Sequence, residues 1–223
     1  MKLVILDRDG TINSDSEDFV KSPEEWTPLP GALEAIARLN HGGWHVVIAS
    51  NQSGLGRGLF DVAALNAMHA KMHKMLAAVG GRVDAVFYCP HTSEEACVCR
   101  KPLPGLFEQI GLRFGVSLKG VASCGDSLRD VLTAAAAGCE PHLVLTGKSA
   151  RYLGGGQPEG LPAGTRIHRD LAAFADHLLE RSTPAGAPAA SALNIQTLTP
   201  MSAALSQSAL QVLSVTSQSP PCP

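Results

Sequence analysis

No stretch of this chain is apolar for long enough to span a bilayer, which takes roughly 20 consecutive residues. The first apolar run, Leu3 to Leu6, is cut off after four residues by Asp7, so the N-terminus does not read as a secretory signal either. Basic charge is not in excess: 18 Lys and Arg against 20 Asp and Glu leave a formal charge of -2. That argues against nucleic acid or an anionic membrane as partner, since a basic stripe usually meets both. Also missing is any Asp, Glu, Lys or Arg after Arg181. The segment "STPAGAPAASALNIQTLTPMSAALSQSALQVLSVTSQSPPCP" is rich in Ser, Ala, Pro and Gln, and predicts a disordered tail over 182–223. Leu198, Met201 and Leu205 fall at helical spacing there, leaving a short interaction helix as the alternative. The remaining 1–181 is long enough for one domain with a sizeable core. A cytoplasmic monomer is expected, in which the six cysteines stay reduced and serve metals or catalysis more often than disulfides.

Within 1–181, short apolar runs alternate with helical patterns. "KLVIL", "WHVVIAS", "VDAVFYC", "KGVASCGD" and "PHLVLTG" read as strands. Between and after them, "GALEAIARLNHGG", "DVAALNAMHAKMHKMLAAVGG" (Asp61 as N-cap), "LPGLFEQIGLRFG", "SLRDVLTAAAAGC" and "RDLAAFADHLLER" read as helices. Strands apolar on both faces and separated by helices predict an α/β, doubly wound parallel sheet. Ligands of such a sheet bind where the carboxyl ends of the strands emerge.

Three strand ends carry chemistry. The first ends at Asp7 and Asp9, the second at "SNQSG", and the strand "VASCGD" at Asp126, with Asp130 a turn later. Carboxylates brought together on one sheet edge repel unless a cation sits among them, and an all-oxygen donor set suits magnesium. A carboxylate kept ionised there can attack phosphorus, and its neighbour two residues on can hand a proton to the leaving oxygen. A D-x-D at a strand end can equally cap a turn or hold a structural calcium. The other strand-end groups favour the reactive reading. Ser50 and Asn51 offer hydroxyl and amide donors, Gly54, Gly56 and Gly58 allow close backbone approach, and Lys101 supplies a fixed positive charge.

A second metal is expected in "CPHTSEEACVCRKP". Cys89, His91, Cys97 and Cys99 make a C-x-H-x5-C-x-C pattern, a donor set suited to closed, structural zinc just before Arg100 and Lys101. Ordinary reduced cysteines beside a surface histidine are the alternative. Cys124 and Cys139 read as packing residues, and Cys222 needs no role. His69 and His73, four apart on a helix, read as a solvated or half-buried face rather than a metal pair. "TGKS" at 146–149 is no phosphate loop, because His142 stands where that motif needs glycine.

In this order, "DRDGT", "ASNQSG", "RKP" and "GDSLRD" resemble the four motifs of the haloacid dehalogenase-like phosphatases, over roughly 1–147. The resemblance implies Asp7 as the nucleophile forming an aspartyl-phosphate and Asp9 as general acid, then base for the hydrolytic water. It implies that Ser50 and Lys101 hold the phosphoryl oxygens. Magnesium would be bound by Asp7, Asp126 and the backbone carbonyl of Asp9, with Asp130 behind these ligands. "LDRDGTIN", "SNQSGLGRG", "CPH…CVCRKP" and "LTGK" together look like the D-glycero-D-manno-heptose 1,7-bisphosphate phosphatase family. The histidinol-phosphate phosphatase branch shares the zinc loop. The heptose branch implies removal of the 7-phosphate, leaving heptose 1-phosphate for nucleotide-sugar synthesis toward bacterial surface glycans such as lipopolysaccharide. It also implies a substrate loop of Asp15, Ser16, Glu17 and Asp18, with phosphate and sugar contacts from Ser50, Asn51, Gln52 and Ser53. Arg57 favours this branch, and Arg100 would read the distal anionic end. No insertion between the first two motifs is long enough for a separate cap domain. Ser127 stands where heptose phosphatases often carry Lys. A competitor from another class is a zinc-stabilised sugar-phosphate binder without catalysis, which would not need both Asp7 and Asp9. A nucleic-acid end phosphatase is disfavoured by the lack of a basic patch.

Overall fold

The computed structural model describes residues 1–182. Along the chain run β1 (Lys2–Leu6), α1 (Ala32–His41), β2 (Trp44–Asn51), α2 (Ser53–Gly56), α3 (Val62–Ala78) and β3 (Ala85–Cys89). Then follow α4 (Gly105–Phe114), β4 (Ala122–Gly125), α5 (Leu128–Ala136), β5 (Glu140–Val144), β6 (Arg166–His168) and α6 (Leu171–Ser182). All strand pairs are parallel, in the order β3-β2-β1-β4-β5-β6. The predicted α/β doubly wound architecture is what forms.

Alternation along the strands explains the two-sided apolar pattern, since successive side chains face opposite layers. Val4 and Leu6 of β1, with Val46 and Ile48 of β2, pack against α1, α3 and α6 through Ile36, Leu65, Met68 and Phe174. Leu3, Ile5, Val47 and Ala49 face the other layer and meet Leu106, Phe107 and Ile110 of α4. Cys124 and Cys139 belong to these two apolar layers. Asp61 caps α3 by accepting from the Ala64 amide at 2.8 Å.

β1 lies between β2 and β4, so the chain leaves it in opposite directions on its two sides. A crevice opens at that reversal, above the carboxyl ends of β1 and β4. The segment between β1 and α1 holds only isolated bridges, Asp9 with Asn13 and Asn13 with Pro28, so no separate cap domain forms there. β6 carries no pattern that marks it in the sequence; it is three residues long at the sheet edge. Composition placed the tail boundary after Arg181, whereas α6 continues through Ser182, whose hydroxyl donates to Leu178 O at 2.8 Å. The rest of the expected tail, with Leu198, Met201 and Leu205, lies outside the described residues.

Candidate active site

A cavity of about 680 Å³ opens over the carboxyl ends of β1, β2 and β4. Its wall includes Asp7, Asp9, Asp15, Ser16, Glu17, Ser50, Asn51, Gln52, Ser53, Arg57, Arg100, Lys101, Asp126 and Asp130. Of the four substrate-loop candidates, Asp18 alone stays out of the wall; it is exposed, and its amide donates to Ser16 Oγ at 3.2 Å.

Asp7 follows β1 directly, its amide continuing the ladder to Cys124 O at 2.9 Å. Lys101 Nζ reaches it from the other side of β2, 2.8 Å from Asp7 Oδ1 and 2.6 Å from Asp130 Oδ1. A third donation, to Ala49 O at 2.8 Å, uses up the ammonium's three hydrogens. Asn51 sets the lysine's backbone: its amide donates to Lys101 O and its carbonyl accepts from Lys101 N, both at 3.0 Å. Ser50 Oγ accepts from Gln52 Nε2 at 2.8 Å.

Asp130 does two jobs. It completes a capping box on α5, accepting from the Ser127 amide at 3.0 Å and the Ser127 hydroxyl at 2.5 Å, and it holds Lys101. Ser127, where a lysine was the family expectation, therefore serves the helix end. Asp126 sits in a nest formed by two glycines. Gly10 (φ +78) and Gly147 (φ +47) both approach its carboxylate so closely that a Cβ on either would overlap Asp126 Oδ2. The Lys148 amide donates to that oxygen at 2.6 Å.

The electrostatics call for a cation. Burial, opposed by Lys101 and reinforced by Asp130 and Asp9, raises Asp7 to about 6. Burial with repulsion from Asp130 and Asp7 raises Asp126 to about 8. Burial also acts on Asp130, but Lys101 and Ser127 outweigh it and hold this carboxyl below its ordinary value. Burial alone would lower Lys101, yet Asp130 and Asp7 keep its ammonium above the usual lysine range. One oxygen from each of Asp7, Asp126 and Asp130 lies within 4.8 Å of the others, so an oxygen-preferring divalent ion fits this donor set.

Cys89, His91, Cys97 and Cys99 also offer ligand atoms within 4.8 Å of one another. The Sγ pairs are 3.8 Å (Cys89–Cys97) and 3.4 Å (Cys99–Cys89), and His91 Nδ1 lies 3.5 Å from Cys89 Sγ and 3.3 Å from Cys99 Sγ. Two thiolates about 2.3 Å from one tetrahedral zinc stand about 3.8 Å apart, so the four donors fit zinc. Burial pushes the Cys89 thiol up to about 11, a penalty that a bound cation removes. The cluster touches the cavity twice: Arg100 Nη1 donates to His91 O at 3.1 Å, and the Gln52 amide to Cys89 O at 2.7 Å.

Four residues of the site escaped the sequence reading. Lys148 and Arg129 line the cavity, and Lys148 Nζ pairs with Asp15. "TGKS" follows β5, next to β4, and the strand-end rule applied there would have found Lys148. Asn13 donates to Asp9 Oδ1 at 2.9 Å. Arg8, between the two aspartates, is 1% exposed and donates to Asp9 through Nε and Nη2. His69 corrects the helix-face expectation: it is 6% exposed, with Nε2 3.4 Å from Arg8 Nη1, while His73 is exposed.

Comparison with known proteins adds to this geometry. A family model described as HAD-hydrolase-like matches residues 98–173, and one described as Polynucleotide kinase 3 phosphatase matches residues 2–127. The D-glycero-beta-D-manno-heptose-1,7-bisphosphate 7-phosphatase of Bordetella bronchiseptica is 58% identical over 82% of this chain and 100% of its own length. The enzyme of that name from Pseudomonas aeruginosa is 51% identical over 80% of this chain and 98% of its own. The chain belongs to the D-glycero-D-manno-heptose 1,7-bisphosphate 7-phosphatase family. It is thereby an enzyme, a phosphoric monoester hydrolase of the haloacid dehalogenase-like superfamily. Within this heptose bisphosphatase family, the crystal structure of the B. bronchiseptica enzyme complexed with magnesium and phosphate superposes with a TM-score of 0.77 over 81% of this chain and 99% of that one. The Burkholderia thailandensis enzyme, 51% identical, superposes at 0.62 over 80% and 99%.

Proposed function

We propose that residues 1–181 form a cytoplasmic, monomeric, magnesium-dependent phosphatase that removes the 7-phosphate of D-glycero-D-manno-heptose 1,7-bisphosphate. The β anomer is the substrate for which the similar enzymes are named. The product, heptose 1-phosphate, would enter nucleotide-activated heptose for surface glycans. The carrying observation is the make-up of the cavity wall. Asp7, Asp126 and Lys101 cluster in it, and Arg57, Arg100, Arg129 and Lys148 also line it and can meet a second anionic group. Among the described residues no helix is long and apolar enough to cross a membrane.

Asp7 attacks phosphorus, the bond from phosphorus to the sugar oxygen breaks, and that oxygen takes a proton from Asp9. Burial raises Asp9, but Arg8, Asn13 and Gln52 overcome this and hold it low, so at rest it is a base. The anionic substrate arriving beside it raises its proton affinity for the first step. Asp9 next accepts a proton from the water that attacks the aspartyl-phosphate, which frees phosphate and restores Asp7. Ser50 holds a phosphoryl oxygen, and Lys101, whose three hydrogens go to Asp7, Asp130 and Ala49, stabilises the phosphoryl group through its charge. Magnesium, held by Asp7, Asp126 and the backbone carbonyl of Asp9, supplies the positive charge that neutralises the transferring group. Zinc on Cys89, His91, Cys97 and Cys99 fixes the loop that presents Arg100.

Phosphate release should be measured with and without magnesium on both anomers of the heptose bisphosphate, on histidinol phosphate and on a 3′-phosphorylated oligonucleotide. The β-heptose bisphosphate is expected to show the highest kcat/KM. A preference for histidinol phosphate or the oligonucleotide would replace this reading. Release surviving Asp7→Asn would overturn the covalent route.

A further inference from the structure

Asp9 reaches the cavity with a fifth of its side chain exposed, and its carboxylate accepts hydrogen bonds from Arg8, Asn13 and Gln52. Arg8 supplies most of that shell: Nε lies 3.1 Å and Nη2 2.9 Å from Asp9 Oδ1, and Nη2 is 3.0 Å from Asp9 Oδ2. Nη2 also donates to Gln52 Oε1 at 3.1 Å, and Gln52 Nε2 closes the ring by donating to Asp9 Oδ2 at 2.8 Å. On its far side the guanidinium meets His69 of α3, Nη1 to Nε2, at 3.4 Å. The Arg8 carbonyl meanwhile accepts from the amides of Thr11, Ile12 and Asn13, which folds the turn carrying Asn13 back to Asp9.

Alternation along an extended chain would send Arg8 away from Asp7 and Asp9. Its side chain instead curls back, buried, at the cost of ordering a long flexible group. Charge neutralisation alone would not demand this, because a compact ammonium can balance a carboxylate without fixing its plane. A planar guanidinium gripping both oxygens fixes carboxylate rotation.

We propose that Arg8 is a positioning residue that aims the Asp9 carboxylate at the leaving oxygen, and that His69 is the seat that holds Arg8 in place. The inference rests on the reading of Asp9 as general acid. His69 can serve only as a neutral acceptor, since a protonated ring would press a second cation against the guanidinium. Burial and Arg8 agree with this, pushing His69 down to about 3.

The test uses leaving-group dependence in the magnesium-loaded, full-length enzyme. A sugar alkoxide leaves poorly without a proton, whereas p-nitrophenolate needs none. Asp9→Asn is the reference: kcat/KM on the heptose bisphosphate should fall at least about 100-fold, with p-nitrophenyl phosphate affected only about threefold. Arg8→Met should copy that selective loss at about 30-fold or more, and His69→Leu should follow in the same sense at about fivefold. Arg8→Lys, which keeps the buried charge, should not restore the sugar bisphosphate rate; it carries the test if Arg8→Met fails to fold. Equal losses on the two substrates in the Arg8 variants, or full rescue by lysine, would overturn the proposal while leaving Asp9 as the acid. A non-selective Asp9→Asn loss would overturn the acid assignment, and the proposal with it.

Discussion

Lys101 Nζ and Asp7 Oδ1 form a 2.8 Å ion pair, although Lys101 lies 94 positions further along the chain, and the lysine is only 3% exposed. A buried cation here orders two carboxylates at once, because Asp130 holds the same ammonium. Replacing Lys101 with Met should lower kcat/KM on the sugar bisphosphate by about 100- to 1,000-fold, the range seen when one preorganised donor to developing charge is lost. It should also lower Tm, since Asp7 and Asp130 are left buried without their partner. Magnesium should recover part of that Tm loss but not the rate. Lys101→Arg should remain impaired, because a planar fork cannot replace an ammonium donating to three acceptors.

The proposed zinc site at Cys89, His91, Cys97 and Cys99 supports the loop that leads into Arg100 and Lys101. Arg100 is tied to the cluster through His91 O. Cys97→Ser should bind less than one zinc per chain by elemental analysis and melt at a lower temperature. KM for the bisphosphate should rise through Arg100, and kcat should fall as well, because Lys101 follows the cluster directly and Gln52, which holds Asp9, is bonded to Cys89 O. Unchanged zinc content in Cys97→Ser would remove the metal assignment.

Much of this could be read from the chain because strand-end residues announce themselves. "KLVIL" running into Asp7, and "VASCG" into Asp126, mark both the sheet and its reactive edge. The donors that tune those carboxylates are less visible, since their roles depend on where side chains turn in three dimensions. Arg8 reads as an accident between two aspartates until it is seen curling back onto Asp9. His69 falls on the same helical stripe as Leu65, Met68 and Met72, so its burial follows the pattern, but its contact with Arg8 is set only by the fold. Lys148 follows a strand whose neighbour in the sheet is fixed by topology, not by local pattern.

The glycine nest around Asp126 gives a backbone prediction. Gly147 has φ +47 and no room for a side chain against Asp126. Gly147→Ala should raise the magnesium concentration needed for half-maximal activity and cost about 1 kcal/mol or more in stability, from left-handed strain and displacement of the carboxylate. Gly154, with open space where a Cβ would stand and no positive φ, is the control. Gly154→Ala should leave both quantities within error, and equal effects at the two sites would refute the nest.

Acid stability should report on a second buried histidine. His142 of β5 is fully buried, its Nδ1 2.9 Å from His168 Nε2 and its ring edge-on to Phe174. Burial first, then His168 and His177, push His142 down to about 3, and burial with His177 and Arg166 pushes His168 to about 4. Both values lie below the roughly 6.5 of an unfolded histidine. Above that pH neither state binds these protons and stability is unaffected. As pH falls from about 6.5 toward 3, the unfolded chain takes up protons that the folded one refuses, so stability drops by about 1.4 kcal/mol per pH unit for each such group. The raised carboxyls of Asp7 and Asp126 titrate in part of the same range with opposite sign, so wild type must be compared with a variant that leaves them alone. Urea unfolding of His142→Phe between pH 4 and 6, set against wild type, should show a slope shallower by about one proton. Parallel slopes would mean that His142 is already charged in the folded protein.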